Sequence, residues 1–385
     1  MKISKDSLNK HMRDLIDLAK ASEGYTRPNP MVAAGLYHCL ASGDLRKIAD
    51  ASHQAAGGAH AEAALLSQVT IDEPERTVLL ITLSPCTHTG RTGPCVEAIL
   101  KSGVRHVIAA IQDPNPRVQE ESAREILASA GIHYELGTEW EAASFLNEQY
   151  LCNMIEKRPF VTVKVASSLD GKVSMGTQER QYLSSEASFR KVHEYRADYD
   201  AICVGIQTIL MDDPQLNIRY GLTSKRDGFP YLIIVDPHFK FPSSARVLEH
   251  FSKEQIIVIG QAAHLSANRE ADLSEQVSIR QYSNELDWAN ILSDLYEDGI
   301  GSIFCEGGPR TWTGLYDADL IDKLILFQTP QIFAASSARS IFESDVVTTP
   351  RPLQQLSARP SGPDLEIQAY LKSPLRYQEQ LLDIH

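Results

Sequence analysis

Residues 77–95 read TVLLITLSPCTHTGRTGPC. The first seven form a nearly unbroken apolar run, the pattern of a strand buried on both faces. Pro85 and Cys86 follow at its end. Pro94 and Cys95 then open a helix in which Val96, Ile99 and Leu100 share one face and Gly103 marks the stop. Both thiols are thus expected at or near a helix N-terminus, which favours the thiolate. Upstream, the Gly57-Gly58 break precedes a helix start over 59–66 that carries His60 and Glu62. One imidazole, two thiolates and a spare carboxylate are the parts of a zinc site that activates water. Three nitrogen or sulfur ligands leave one tetrahedral position open to water, and zinc draws that water's pKa toward neutrality. His60, Cys86 and Cys95 are the candidate ligands, and Glu62 is the candidate proton carrier. A lone His-x-Glu or Pro-Cys pair is common; the combination with this strand and these helix starts carries the reading.

The chain has 385 residues, enough for two domains with sizeable cores. Its composition, 43% hydrophobic and 23% charged, fits a soluble globular protein. No apolar run approaches a membrane span, and the opening MKISKDSLNKHMRDL lacks the apolar core of a signal peptide. Cys39, Cys86, Cys95, Cys152, Cys203 and Cys305 are spread without a disulfide framework, which points to a reducing cytoplasm. A net charge of −13 argues against a nucleic-acid partner and leaves room for a local basic pocket that takes one phosphate.

A boundary near 156–159 divides the chain into domains over 1–155 and 156–385. In the first, residues 7–21 predict an amphipathic helix with Met12, Leu15, Ile16 and Ala19 on one side. A strand is expected at 106–111 and helices at 122–130 and 140–154. This alternation implies a sheet with helices on both faces. The segment between Gly35 and His53 reads as a loop. In the second domain strands are expected at 160–166, 201–204, 231–235, 256–259, 302–305 and 324–328. Helices are expected at 185–195, 284–296 and 309–318. Residues 223–228 read as a loop, and 351–385 carry no legible motif.

Zinc nucleobase deaminases use the same ligand set, generally with two residues between the cysteines; here eight intervene. Residues 26–32 (TRPNPMV), 57–62 (GGAHAE), 83–95 (LSPCTHTGRTGPC) and 113–118 (DPNPRV) resemble the deaminase half of the bifunctional riboflavin-biosynthesis deaminase/reductase family, whose branch has the longer spacing. Residues 158–172 (RPFVTVKVASSLDGK), 200–214 (DAICVGIQTILMDDP) and 305–309 (CEGGP) resemble its reductase half. The resemblance runs from about Leu15 to Phe342, in one order.

It implies a cytidine-deaminase-like α/β/α domain followed by a dihydrofolate-reductase-like α/β domain. The latter binds NADPH without a GxGxxG fingerprint. The implied chemistry is zinc-dependent removal of the ring amine of 2,5-diamino-6-(5-phosphoribosylamino)pyrimidin-4-one, then reduction of its ribosyl group to ribityl. Asn29, His53, His88 and Arg91 match substrate positions of the deaminase. Ala166, Tyr182, Thr208, Asp212, Gly307 and Gly308 match cofactor positions of the reductase. Arg180, Arg196, Leu216, Arg219 and Glu306 match its substrate positions, where a phosphorylated sugar needs cations. A homo-oligomer formed through the reductase domain is also implied. The chain departs from the family pattern at Ser84, at Ala33, at Gln119-Glu120-Glu121, at Arg180-Gln181-Tyr182 and at Pro237. Arg180 either binds phosphate or blocks it. Three alternatives stay open: a relative with one active half, a deaminase of another nitrogenous ring, and a ligand-sensing protein without turnover.

Overall fold

The computed structural model describes residues 2–87, 93–116, 123–174, 183–225, 230–283, 285–347 and 349–381. It divides into two units, Met1–Lys157 with Pro374–His385, and Arg158–Ser373.

The first unit is built on a five-stranded sheet in the order β2-β1-β3-β4-β5. The strands are β1 (Ala33–Cys39), β2 (Leu45–Ser52), β3 (Thr77–Leu83), β4 (His106–Ile111) and β5 (His133–Leu136). β1 is antiparallel to β2 and β3, while β3, β4 and β5 are parallel. Every residue of β3 is buried, as its apolar run requires. Leu79 and Ile81 pack with Leu65 of α2 (Ala61–Leu66), Val96 and Ile99 of α3 (Cys95–Ser102) and Leu127 of α4 (Ala123–Ser129). The alternate residues Val78 and Leu80 face the other way. The helix preceding the sheet (Lys5–Lys20) buries Met12, Leu15, Ile16 and Ala19, its i, i+3, i+4, i+7 stripe, and packs on β1, β2 and β3.

Two local expectations are corrected. The segment read as a loop between Gly35 and His53 is the β1–β2 hairpin. Its turn needs Gly43, which has φ +91° and where a Cβ would come within 3.0 Å of the Lys2 carbonyl. The helix expected over 140–154 is two helices, α5 (Trp140–Leu146) and α6 (Glu148–Glu156), broken at Asn147. The buried Asn147 side chain accepts from Met31 N–H at 2.8 Å and donates to the Met31 carbonyl at 3.0 Å, so it clamps the loop that carries Asn29. Asn147→Ala strands both groups of Met31 and is expected to cost about 1–3 kcal/mol, read as a lower denaturant midpoint of the first unit. An unchanged midpoint refutes the clamp.

The second unit carries a nine-stranded sheet in the order β11-β10-β9-β8-β12-β6-β13-β16-β15. A short pair, β7 (Lys172–Ser174) with β14 (Arg339–Ser340), stands apart from it. The core strands are β6 (Phe160–Ser167), β8 (Ala201–Gly205), β9 (Tyr231–Val235), β10 (Ile256–Gln261), β11 (Ser278–Tyr282), β12 (Ser302–Cys305) and β13 (Lys323–Gln328). These seven are parallel, and β16 (Asp364–Tyr370) and β15 (Gln354–Ser361) add an antiparallel edge. The chain winds outward from β8 to β11 and then inserts β12 between β8 and β6. That reversal is the switch point at whose carboxyl edge open α/β sheets bind ligands. Arg158 and Asp322 form a buried two-pronged ion pair, both bonds 2.7 Å, that ties the starts of β6 and β13.

The sequence reading gave all of 156–385 to the second domain. Residues 374–381 belong with the first unit instead, because the helix α12 (Leu375–Leu381) packs on α5 and α6. In chain order the remaining helices are α7 (Glu186–Asp198), α8 (Ile206–Asp212), α9 (Ala267–Ser274), α10 (Trp288–Glu297) and α11 (Pro309–Asp317). Among the described residues no helix is long and apolar enough to cross a membrane.

Candidate active site

In the first unit the end of β3, the start of α2 and the start of α3 converge. His60 is the residue before α2, Glu62 lies in its first turn, and Cys95 is the first residue of α3. Cys86 follows β3 in a loop, and its Sγ accepts the Cys95 N–H at 3.3 Å, so the α3 N-terminus serves both sulfurs. His60 Nδ1 is 3.2 Å from Cys95 Sγ and 3.5 Å from Cys86 Sγ, and the three ligand atoms all lie within 4.8 Å of one another. Zinc with nitrogen and sulfur at its usual distances sets such atoms about 3.5 Å apart, so the donor set and its spacing fit that ion.

The charges fit as well. A hydrogen bond from the Cys95 thiol, against the cost of burial, pulls Cys86 down to about 4, and His60 and the Cys95 N–H help. The same bond, with burial, pushes Cys95 up. A dication bound here would favour the thiolate form of both sulfurs. Burial pushes Glu62 up to about 7, and its side chain is within hydrogen-bonding reach of Cys95. It is a reserve of proton capacity beside the ligands.

A cavity of about 490 Å³ opens on this cluster, lined by Asn29, His53, His60, Glu62 and Cys86 together with Ser84, Asp113, Asn115, Tyr150 and Met154. His53 Nδ1 meets the Ala59 carbonyl at 3.0 Å, so it carries the proton. His53 Nε2 then accepts from Asn29 Nδ2 at 3.4 Å. That leaves the Asn29 carboxamide oxygen as the acceptor for a ligand N–H. Ser84, one of the departures, accepts the Asp113 N–H at 2.8 Å through its hydroxyl. Asp113 in turn accepts from Tyr150 Oη at 2.8 Å and from Asn115 N–H at 2.9 Å. Asp113 and Asn115 come from the 113–118 stretch already singled out, whereas Tyr150 and Met154 come from α6, whose apolar pattern reads only as packing. His88 and Arg91 lie outside the described residues.

In the second unit the carboxyl ends of the adjacent strands β8, β12 and β6 gather the reductase candidates. Ala166 is half-buried near the end of β6, Glu306, Gly307 and Gly308 follow β12, and Thr208 and Asp212 lie half-buried on α8. The loops after β8 and β12 touch: a Cβ on Gly307 would be 3.0 Å from Gly205 N, and one on Gly205 would be 2.8 Å from Thr311 Oγ1. A Cβ on Gly308 would meet nothing, so the backbone before α11 faces open space where a phosphate can approach. This cradle and its place at the switch point fit a dinucleotide.

Arg196 grips both oxygens of Glu306, at 2.6 and 3.1 Å, and also donates to the Asn217 carbonyl at 3.0 Å. Lys164 Nζ lies 3.5 Å from Glu306. Burial works against the charge of Glu306, but Arg196 and Lys164 outweigh it and hold the carboxyl down at about 2. Arg219 N–H donates to His193 Nδ1 at 3.1 Å. His193, missed in the sequence because a lone helical histidine carries no signal, is held down to about 4 by burial and by Arg196 and Arg219, so it is neutral. Leu216 has φ +52° and its side chain packs in the core, which leaves only its backbone for a ligand. Arg180 and Tyr182 lie outside the described residues.

Fold and site define a zinc-dependent hydrolytic deaminase joined to a reductase. The family profile of the cytidine and deoxycytidylate deaminase zinc-binding region matches residues 5–111, and that of the RibD C-terminal domain matches residues 159–367. The riboflavin biosynthesis protein RibD of Aquifex aeolicus is 35% identical over 84% of this chain and 86% of its own. The structure of Acinetobacter baumannii RibD is 30% identical with a TM-score of 0.79, over 95% of this chain and 99% of that one. A Thermotoga maritima structure, a diaminohydroxyphosphoribosylaminopyrimidine deaminase/5-amino-6-(5-phosphoribosylamino)uracil reductase, is 28% identical with a TM-score of 0.77 over 95% and 99%. The chain belongs to the RibD family, the bifunctional deaminase/reductases of riboflavin biosynthesis. The deaminase half uses zinc and the reductase half NADPH.

Proposed function

We propose that the substrate is 2,5-diamino-6-(5-phosphoribosylamino)pyrimidin-4-one and that both halves turn over in sequence. The observation that carries the reading is the cavity in which Asn29 and His53 face the His60, Cys86 and Cys95 cluster beside buried Glu62. Asn29 reads a ring N–H through its oxygen. Zinc, held by His60, Cys86 and Cys95, supplies water activated near neutral pH. Glu62 accepts a proton from the attacking water and delivers it to the departing amine. The ring C–N bond breaks, a C=O bond forms, and ammonia leaves.

In the reductase half, Ala166, Thr208, Asp212, Gly307 and Gly308 hold the dinucleotide, which when bound supplies a hydride to the sugar carbon of the opened imine. Glu306, kept ionised by Arg196, takes hydrogen bonds from the sugar hydroxyls. Arg219, exposed beside His193, offers its guanidinium to the phosphate. Support for self-association through this unit comes from β15, which among the described residues pairs with β16 alone and exposes Gln354 through Pro360 as an open edge.

The test follows ammonia release and NADPH oxidation in one sample given the diaminopyrimidine. Ammonia first and NADPH oxidation second is the expected order. Ammonia without NADPH oxidation refutes the two-step reading and leaves one active half. Neither signal from zinc-loaded protein refutes the substrate.

A further inference from the structure

The amide of Gln378 on α12 is fully buried and pairs with both backbone groups of Gln112. Its Oε1 accepts the Gln112 N–H at 3.1 Å, and its Nε2 donates to the Gln112 carbonyl at 2.9 Å. Gln112 sits one residue past β4, where strand pairing has ended and a buried backbone still needs partners. The next residue is Asp113, which holds Tyr150 and Asn115 in the cavity wall. A second tie reaches the same wall from behind. Glu156 ends α6, the helix that supplies Tyr150 and Met154, and it accepts hydrogen bonds from Arg376 at 2.5 Å and from Tyr377 Oη at 2.6 Å. Tyr377 is itself buried. One short helix therefore grips both segments that supply Asp113, Asn115, Tyr150 and Met154 to the cavity wall, although the whole reductase unit lies between it and them in the sequence.

We infer that α12 is a positioning element of the deaminase, with Gln378 its central positioning residue acting through Gln112 on Asp113. The wall it sets holds the pyrimidine and is made of residues other than the zinc ligands and Glu62. Loosening it weakens substrate binding while the hydrolytic step stays largely intact. The inference rests on the deaminase reading above. The deaminase pocket thus depends on residues that follow the reductase in the sequence and group with the first unit.

Gln378→Met keeps the length and packing and removes both hydrogen bonds. In full-length, zinc-loaded protein the deaminase KM is expected to rise about tenfold, with kcat within about twofold. NADPH oxidation with 5-amino-6-(5-phosphoribosylamino)uracil added directly stays unchanged and reports that the chain is folded. Tyr377→Phe, which loses only the hydroxyl held by Glu156, moves KM the same way by less. Hydrogen exchange gives a reading without turnover: the Gln112 amide exchanges faster in Gln378→Met, and reductase peptides do not. An unchanged KM overturns the proposal. So does an equal fall of both activities in step with the unfolding midpoint, which marks α12 as scaffold alone. Should the unsubstituted protein release no ammonia, the deaminase reading fails instead, and the exchange of Gln112 by itself decides whether α12 holds this wall.

Discussion

Glu62→Gln is expected to reduce ammonia release by about a thousandfold while zinc stays at one per chain. The substitution keeps the shape of a side chain that is 3% exposed, exchanges one acceptor oxygen for an NH2 donor, and removes the ability to take up a proton. Hydrolysis of a ring amine needs that ability twice, once to deprotonate water and once to make the nitrogen a leaving group. General acid–base catalysis contributes roughly 10²- to 10⁴-fold in such steps, which sets the size of the loss. The ligands are untouched, since His60, Cys86 and Cys95 contribute the donor atoms and Glu62 contributes none. Burying a carboxamide also costs less than burying a carboxylate, so the variant is expected to unfold no more readily than the parent. Initial rates of ammonia release, metal content and the oxidation of NADPH by added deaminated intermediate are measured together. Equal deamination by the zinc-loaded variant sinks the assignment of Glu62, and loss of zinc with loss of activity assigns it to the metal instead.

The residues that were legible in the sequence are those whose meaning is local. The apolar run of β3 and the proline and glycine stops around α3 have the period and punctuation of their elements, and they bring Cys86 and Cys95 to one point without any knowledge of the rest of the chain. His60 and Glu62 are two apart at a helix start, so their common side is set by the helix itself. The β1–β2 hairpin was illegible for the converse reason. All but one of the residues of β1 are buried with no alternation, and β2 exposes half of its residues, three of them in a row, so neither shows the half-buried pattern that marks a strand. The ties behind the cavity wall were illegible because they are long-range hydrogen bonds. Asn147 meets Met31 across 116 residues and Gln378 meets Gln112 across 266. Nothing near Asn147 distinguishes a helix break from a polar residue on a solvent face, and nothing near Gln378 announces a partner. In the reductase half the motifs located Arg196 and Glu306 separately, while the ion cluster that Lys164 completes appears only when β6, α7 and the end of β12 come together.

Glu306→Gln is expected to cost about 3 kcal/mol of second-unit stability at neutral pH and to depress NADPH oxidation, with ammonia release intact. The side chains of Glu306 and Arg196 are 7% and 9% exposed, so a neutral partner leaves Arg196 and Lys164 as uncompensated charges in a nearly dry site. Removing one member of a buried pair costs more than the pair itself is worth. The pH dependence carries the sign. In the folded protein the Glu306 carboxyl is held at about 2, against an ordinary 4.5. A depressed carboxyl stabilises the fold above its ordinary value, and that stabilisation is lost as pH falls toward the folded-state value. Lys164 shifts downward as well, because burial outweighs the attraction of Glu306, so this pair does not strengthen both partners. The stabilising partner is Arg196, whose guanidinium meets both carboxylate oxygens. The stability gap between parent and variant is therefore expected to be full above about pH 5 and to narrow toward pH 2. Denaturant midpoints of the second unit across that range measure it. A gap of equal size at about pH 2.5 and pH 7 means that the loss comes from packing and that the charge of Glu306 does not hold the cluster together.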